Sequence, residues 1–283
     1  MSERFESTSS RFLLKIALLL VTAIATCGVA VAQRPEKPAL PFARGEQLFY
    51  QAELNKGLLR GLDVGELRFA AKVSRDNSKT EKPVVNLVGD AVTKGFLARI
   101  AGAKFHLHIE SLADSNPLAV LHTKSLYEDR RTTINSEGTF DHAAGKLVWT
   151  KTEQNQKPEP TTVTFTGPIQ DVLTLIYFVR TQNLKPGQSF EVMMIDGGRA
   201  YRCTVNVLAG KRLTTAVGRV NTILLEPAIF DNDRAVRPRG MLSIWLTDDA
   251  RHLPVKAQVK AQIGTIDIKL RRVTYRDAEI AEN

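Results

Sequence analysis

Among the residues whose types and spacing could do chemistry, His106, His108 and Glu110 stand first, at alternate positions of one stretch. On a β-strand, period two would put two imidazoles and a carboxylate on one face, a set that divalent transition metals accept. His122 is the further ligand candidate nearby. Phe105, Leu107 and Ile109 alternate with these groups, so an ordinary amphipathic strand accounts for the pattern equally well. That plainer account is the expectation: no bound metal, with His106, His108 and Glu110 as the weak candidates. A second group, Asp248, Asp249, Arg251 and His252, occupies one short stretch. Carboxylates placed this way accept turn N–H groups, and Arg251 can pair with either of them. The chain carries no GxSxG elbow, HExxH pair or Walker loop, and Cys203 has no placed histidine to activate it. The sequence therefore predicts neither catalytic residues nor a cofactor.

Basic residues form the third group. Arg234, Arg237 and Arg239 flank Pro238, and Lys256, Lys260, Lys269, Arg271 and Arg272 follow. The chain has a formal net charge of +9. In a cytoplasmic protein this would suggest nucleic acid, but the N-terminus speaks for export. Arg4, Arg11 and Lys15 precede the apolar run Ile16–Val21, a stretch of small residues and then Ala30-Val31-Ala32 before Gln33. That is the pattern of a signal peptide, residues 1–32, cleaved after Ala32, with a periplasmic destination. Its apolar core is too short for a stable transmembrane span. Cys27 follows Thr26, a poor residue before a lipidated cysteine, so a lipoprotein is not expected. Cleavage would remove three basic and two acidic residues and leave +8. The partners this charge suits in an envelope are lipid head groups or other anionic components, and no nucleic acid. Cys203 would then be the one cysteine left, which rules out an internal disulfide.

The elements that must position these residues read as β-strands. From Val255 to Ile263 the chain alternates without a fault, Val255, Ala257, Val259, Ala261 and Ile263 against Lys256, Gln258, Lys260 and Gln262. After Gly264 the apolar parity flips to Ile266, Ile268 and Leu270, as a bulge or a tight turn would produce. Strands separated by polar turns are predicted through most of residues 47–275, with Asp196-Gly197-Gly198 a hairpin signal. One segment departs from this pattern. Asp171 precedes Val172–Arg180, apolar nearly all round, and Pro186-Gly187 ends it. A buried helix over Asp171–Asn183 with Asp171 as N-cap is expected, although its β-branched content also suits a strand. Residues 33–41 read as a Pro-rich linker, 42–276 as one β domain and 277–283 as a tail.

The stretches Gly45–Tyr50, Asp171–Arg180, Asp196–Tyr201, Gly240–Asp248, Arg251–Lys256 and Ile263-Gly264 resemble those of an exported bacterial family, domain of unknown function 3108. The resemblance runs from about Phe42 to Tyr275 and carries no assigned activity. Val172 stands where the family's pattern has proline at the start of the helix.

Together these features predict a mainly β fold: a single antiparallel, strongly curved sheet, half-barrel or clam-like, enclosing one apolar helix. An apolar or amphiphilic, lipid-like ligand on the concave face is the expected function, with no catalysis. An assembly protein with its core plugged by the helix is the alternative, and an unrecognised hydrolase the third. The residues expected at the ligand are Tyr177, Phe178, Trp245, Arg237 and Arg239. Trp245 in particular is expected to pack on the helix beside Tyr177 or Phe178.

Overall fold

Alternation of apolar and polar residues sets the faces of the strands, and pairing then sets their order. The computed structural model describes residues 40–275 apart from 43–44, 76–82, 96–97, 99–103, 232–233, 238–239 and 262–263. The leader with Ala32 and Cys27, Arg239 and the tail lie outside the described residues.

The first half of the chain is a meander: β1 (Glu46–Lys56), β2 (Leu59–Arg75), β3 (Pro83–Thr93), β4 (Phe105–Ser115), β5 (Leu118–Asp129), β6 (Thr133–Asp141), β7 (Lys146–Glu153) and β8 (Glu159–Thr164). A short β9 (Ile169–Gln170) leads into helix α1 (Val172–Phe178), which a 3-10 turn over Val179–Thr181 extends. The second half contributes β10 (Ser189–Asp196), β11 (Arg199–Ala209), β14 (Thr222–Asp231), β15 (Arg234–Arg237), β16 (Leu242–Thr247), β17 (Pro254–Ala261) and β18 (Gly264–Tyr275). Between β11 and β14 lies a small separate hairpin of β12 (Leu213–Thr215) and β13 (Gly218–Val220).

Sixteen strands make one sheet, running from β8 back to β1, then β18, β17, β16, β14, β11, β10 and β9, with β15 beside β14. The chain's first and last strands therefore pair at the middle, Tyr50 opposite Leu270 and Ala52 opposite Ile268. Among the described residues the expectation of one large, mainly antiparallel sheet with one apolar helix packed on it holds, but the sheet is not strongly curved as expected, and three further corrections apply. The β9–β10 pair is parallel, and β12–β13 forms a second sheet. Among the described residues the terminal strands β8 and β9 do not pair, so the sheet is not closed. The two ends are nevertheless joined by side chains. Val120, Phe140, Leu147 and Trp149 of β5–β7 share an apolar cluster with Ile169 of β9 and Ile195 of β10. Of the two alternatives at Gly264, the tight turn is realised: Ala261 faces Gly264 across the β17–β18 hairpin.

The helix forms where the sequence predicts, though shorter. Asp171 caps it reciprocally: its carboxylate accepts from Thr174 N at 2.6 Å, and Thr174 Oγ1 accepts from Asp171 N at 2.8 Å. The cap is buried and is held on the sheet by Ser111 of β4, whose hydroxyl donates to Asp171 Oδ2 at 2.5 Å. The helix lies close over Gly89 of β3. A Cβ there would meet Leu173 Cδ1 at 3.2 Å and the Phe69 ring at 3.3 Å. Replacing Gly89 with valine should thus overpack the helix–sheet contact and lower stability by about 1–3 kcal/mol. A chemical denaturation midpoint equal to that of the wild type would show that the helix does not rest there.

Candidate functional site

Seven residues of helix cannot fill the space in front of so many strands, and a cavity of about 600 Å³ remains beside the helix. Val172, Leu173, Leu175, Ile176 and Val179 form its helical wall. Leu67, Phe69, Ala91, Leu107 and Ile109 line it from β2–β4. Val205, Leu225, Ile244, Leu246, Ala257 and Ile268 line it from the second half of the sheet. The wall is mostly apolar, with Tyr50, Asp196, Arg199 and Tyr201 as its polar side chains. Val172, 42% exposed, and the exposed Asp196 and Arg199 of the β10–β11 hairpin mark where it meets solvent. Cys203 also lines it, fully buried, and burial pushes its thiol up to about 11. A thiol in that state stays protonated at neutral pH and is a poor nucleophile.

Behind the helix lies a group of charges that the sequence reading did not single out. Arg180, just past the helix end, donates through Nη1 and Nη2 to the two carboxylate oxygens of Glu46 at 2.6 and 3.0 Å. Both side chains are essentially without solvent contact. The guanidinium also donates from Nε to the Arg251 carbonyl at 3.2 Å and lies 5.3 and 5.4 Å from the Phe42 and Tyr177 ring centres. His252 Nδ1 returns a hydrogen bond to the Arg180 carbonyl at 3.0 Å. Burial works against the charge of Arg180, but the hydrogen bonds and charge of Glu46 outweigh it and raise its pKa. The stretch Asp248–His252 is a structural turn, as expected. Asp249 accepts from the Thr247 hydroxyl at 2.7 Å, from Arg251 N at 3.0 Å and from its guanidinium at 2.6 Å. The signal for Glu46 and Arg180 was present in outline, since both lie in stretches that carry the family resemblance.

The predicted ligand residues are placed elsewhere than expected. Tyr177 is fully buried on the far side of the helix, edge-on to Phe42, and its hydroxyl has no hydrogen-bond partner among the described residues. Burial first, then the negative charge of Glu46, raises its pKa. Phe178 is half-buried against the clusters on either side of the helix and does not line the cavity. Trp245 does not touch the helix. Its neighbours Ile244 and Leu246 face the cavity, so period two turns Trp245 to the opposite face of β16. There it is buried near Leu224 and the β12–β13 hairpin residues Leu213 and Val217, with the Lys256 ammonium 5.1 Å from its ring. Arg237 lies in β15 opposite Ile229, and its side chain falls outside the described residues.

His106, His108 and Glu110 share a face, as predicted, but each imidazole has its own carboxylate. His106 Nδ1 is 3.2 Å from Glu128, and His108 bridges Asp90 at 2.6 Å and Glu110 at 3.2 Å. His122 pairs with Glu137 at 2.8 Å. Among the described residues no three His, Cys, Asp or Glu side chains are grouped to hold a metal.

Two predictions follow from these charges. Arg180→Met leaves the Glu46 carboxylate buried without its partner and should cost roughly 3–5 kcal/mol, whereas adding Glu46→Gln should recover part of the loss. Urea denaturation of both variants checks this, and a wild-type midpoint for R180M would refute it. For His108, the hydrogen bond that its ring donates to the Asp90 carboxylate outweighs burial and raises the pKa above the ordinary 6.5. Stabilisation from this pair is therefore full below 6.5 and is lost as the pH rises through the raised folded value. An NMR titration should place the His108 midpoint above 6.5, and Asp90→Asn should bring it back down. An unmoved midpoint in that variant would assign the shift elsewhere.

A family model described as "Protein of unknown function (DUF3108)" matches residues 50–271. The fold is similar to that of a beta-barrel-like protein of domain of unknown function DUF1849 from Brucella abortus, with a TM-score of 0.55 at 12% identity. That likeness covers 83% of this chain and 98% of the other. Comparison with curated proteins gives no match.

Proposed function

The chain belongs to the DUF3108 family, whose description assigns no activity, and from that premise we propose that it binds an apolar or amphiphilic, lipid-like molecule in the cavity beside α1, without catalysis. The observation that carries this reading is the cavity itself: about 600 Å³, mostly apolar and bordered by a few polar groups at its rim. Such a volume is within the range of small-molecule sites, and an apolar wall favours an apolar guest. Both halves of the sheet contribute to this one cavity. In support, β2–β4 and β11–β18 supply walls of the same cavity, and β5–β7 share a cluster with β9 and β10. Space left beside the helix favours a bound molecule over an assembly protein with a plugged core. The protonated, buried Cys203 favours binding over hydrolysis.

Export belongs to the same proposal. The basic, apolar and small-residue segments ending at Ala32 support cleavage there and work in the periplasm, where envelope lipids are the available amphiphiles. No helix among the described residues is long and apolar enough to cross a membrane.

Native mass spectrometry after mild extraction tests the proposal. The wild-type protein should carry an additional lipid-sized mass. Ala257→Trp, which places an indole in the cavity from β17, should reduce its occupancy at least about tenfold while the protein stays folded. Empty wild-type protein, or equal occupancy in A257W, would refute the reading.

A further inference from the structure

The tip of the β1–β2 hairpin offers leucines to water. Leu58 is fully exposed (102%) and Leu59 is 55% exposed. Gly57, at φ +58°, makes the tight turn that sets Leu58 at the apex, with Lys56 opposite Leu59 across it. Lys56 and Arg60 flank the pair and are exposed as well. No acidic residue occurs between Leu54 and Leu62. The tip is also braced. Asn55 accepts from Gly61 N at 3.0 Å and donates to Asp267 at 3.2 Å. Glu53, the acid just before the tip, is neutralised by Lys269 and Arg271, each at 2.6 Å.

Nothing in the packing requires leucine at this apex, and water is an unfavourable environment for it. Two apolar side chains between two cations, on a braced support where Glu53 is already paired, match the cross-section of an anionic bilayer. The leucines would sit beneath the head groups while lysine and arginine extend to the phosphates. We propose that the β1–β2 hairpin tip docks this protein on an anionic lipid surface. Charge complementarity supports the choice of partner: the whole chain carries +9, and each cation near an anionic leaflet adds to attraction. Below the tip, the same hairpin reaches the cavity. Leu62 and Ile266 pack around the cluster of Ala52, Leu54 and Val64, as do Leu67 and Ile268, which line the cavity. The docking inference goes beyond the cavity reading and does not depend on it.

The test is co-sedimentation of protein, purified from cells producing the full chain, with vesicles of phosphatidylglycerol and phosphatidylethanolamine. Wild-type protein should bind, and L58E/L59E should bind about tenfold less tightly with an unchanged denaturation midpoint, since both side chains are exposed. K56E/R60E should also bind less and lose the sensitivity to salt. A257W should bind vesicles like the wild type whatever its cavity holds, which separates this result from that of the cavity. Failure of the wild type to sediment with these vesicles would overturn the proposal, as would undiminished binding by L58E/L59E. Self-association that disappears in L58E/L59E without any vesicle binding would give the tip to a second copy and overturn it equally.

Discussion

The buried pair of Glu46 and Arg180 is the constraint on which the arrangement of the helix depends. The two residues are 134 positions apart, and neither charge can remain in the interior without the other. Glu46 opens β1, at the centre of the sheet. Arg180 ends the helical segment, and its guanidinium also takes the Arg251 carbonyl of the turn before β17. One guanidinium therefore ties the helix exit to two distant parts of the sheet. The other end of the helix is held by Asp171, through its cap and through Ser111. With both ends fixed on one side, the opposite helical face, Val172, Leu175, Ile176 and Val179, is left to border empty space. Polar anchoring at both ends, with the buried Leu173 and Tyr177 between them, holds the helix beside that space.

The lining is what the binding proposal rests on. Its walls come from strands far apart in the chain, and the partly exposed Leu67, Phe69, Ile109 and Ile268 are apolar positions that the core leaves unfilled. A stability-driven design would close such a gap, because unfilled apolar volume is destabilising. Its presence beside a firmly capped helix is consistent with the binding proposed for it.

Much of the fold was legible because strand faces repeat every second residue. The Val255–Ile263 alternation marks β17, Asp196-Gly197-Gly198 marks the β10–β11 hairpin, and Asp171 marks the helix start. What failed to show was anything decided across the sheet. In the run Met241–Leu246 every position but Ser243 is apolar, so parity could not say which side of β16 carries Trp245. The small β12–β13 hairpin that helps cover it has too little pattern to announce itself. Tyr177 was misplaced for a related reason: a helix apolar all round does not reveal which face meets the cavity. Glu46 and Arg180 each resemble an ordinary surface charge until the fold brings them together.

The pairing of β1 with β18 has a consequence for how the chain comes to be folded. Synthesis delivers β1 early and β18 last, so the central strand must wait for nearly the whole polypeptide before its second neighbour exists. Contacts of such long sequence separation carry a large loop-closure entropy and fold slowly. During that interval β1 has an unpaired edge, and its first residue, Glu46, has no Arg180 until the helix emerges. The nascent chain is then a substrate for any factor that holds open strands apart. Completion of the fold is in effect a report that the last strand has arrived.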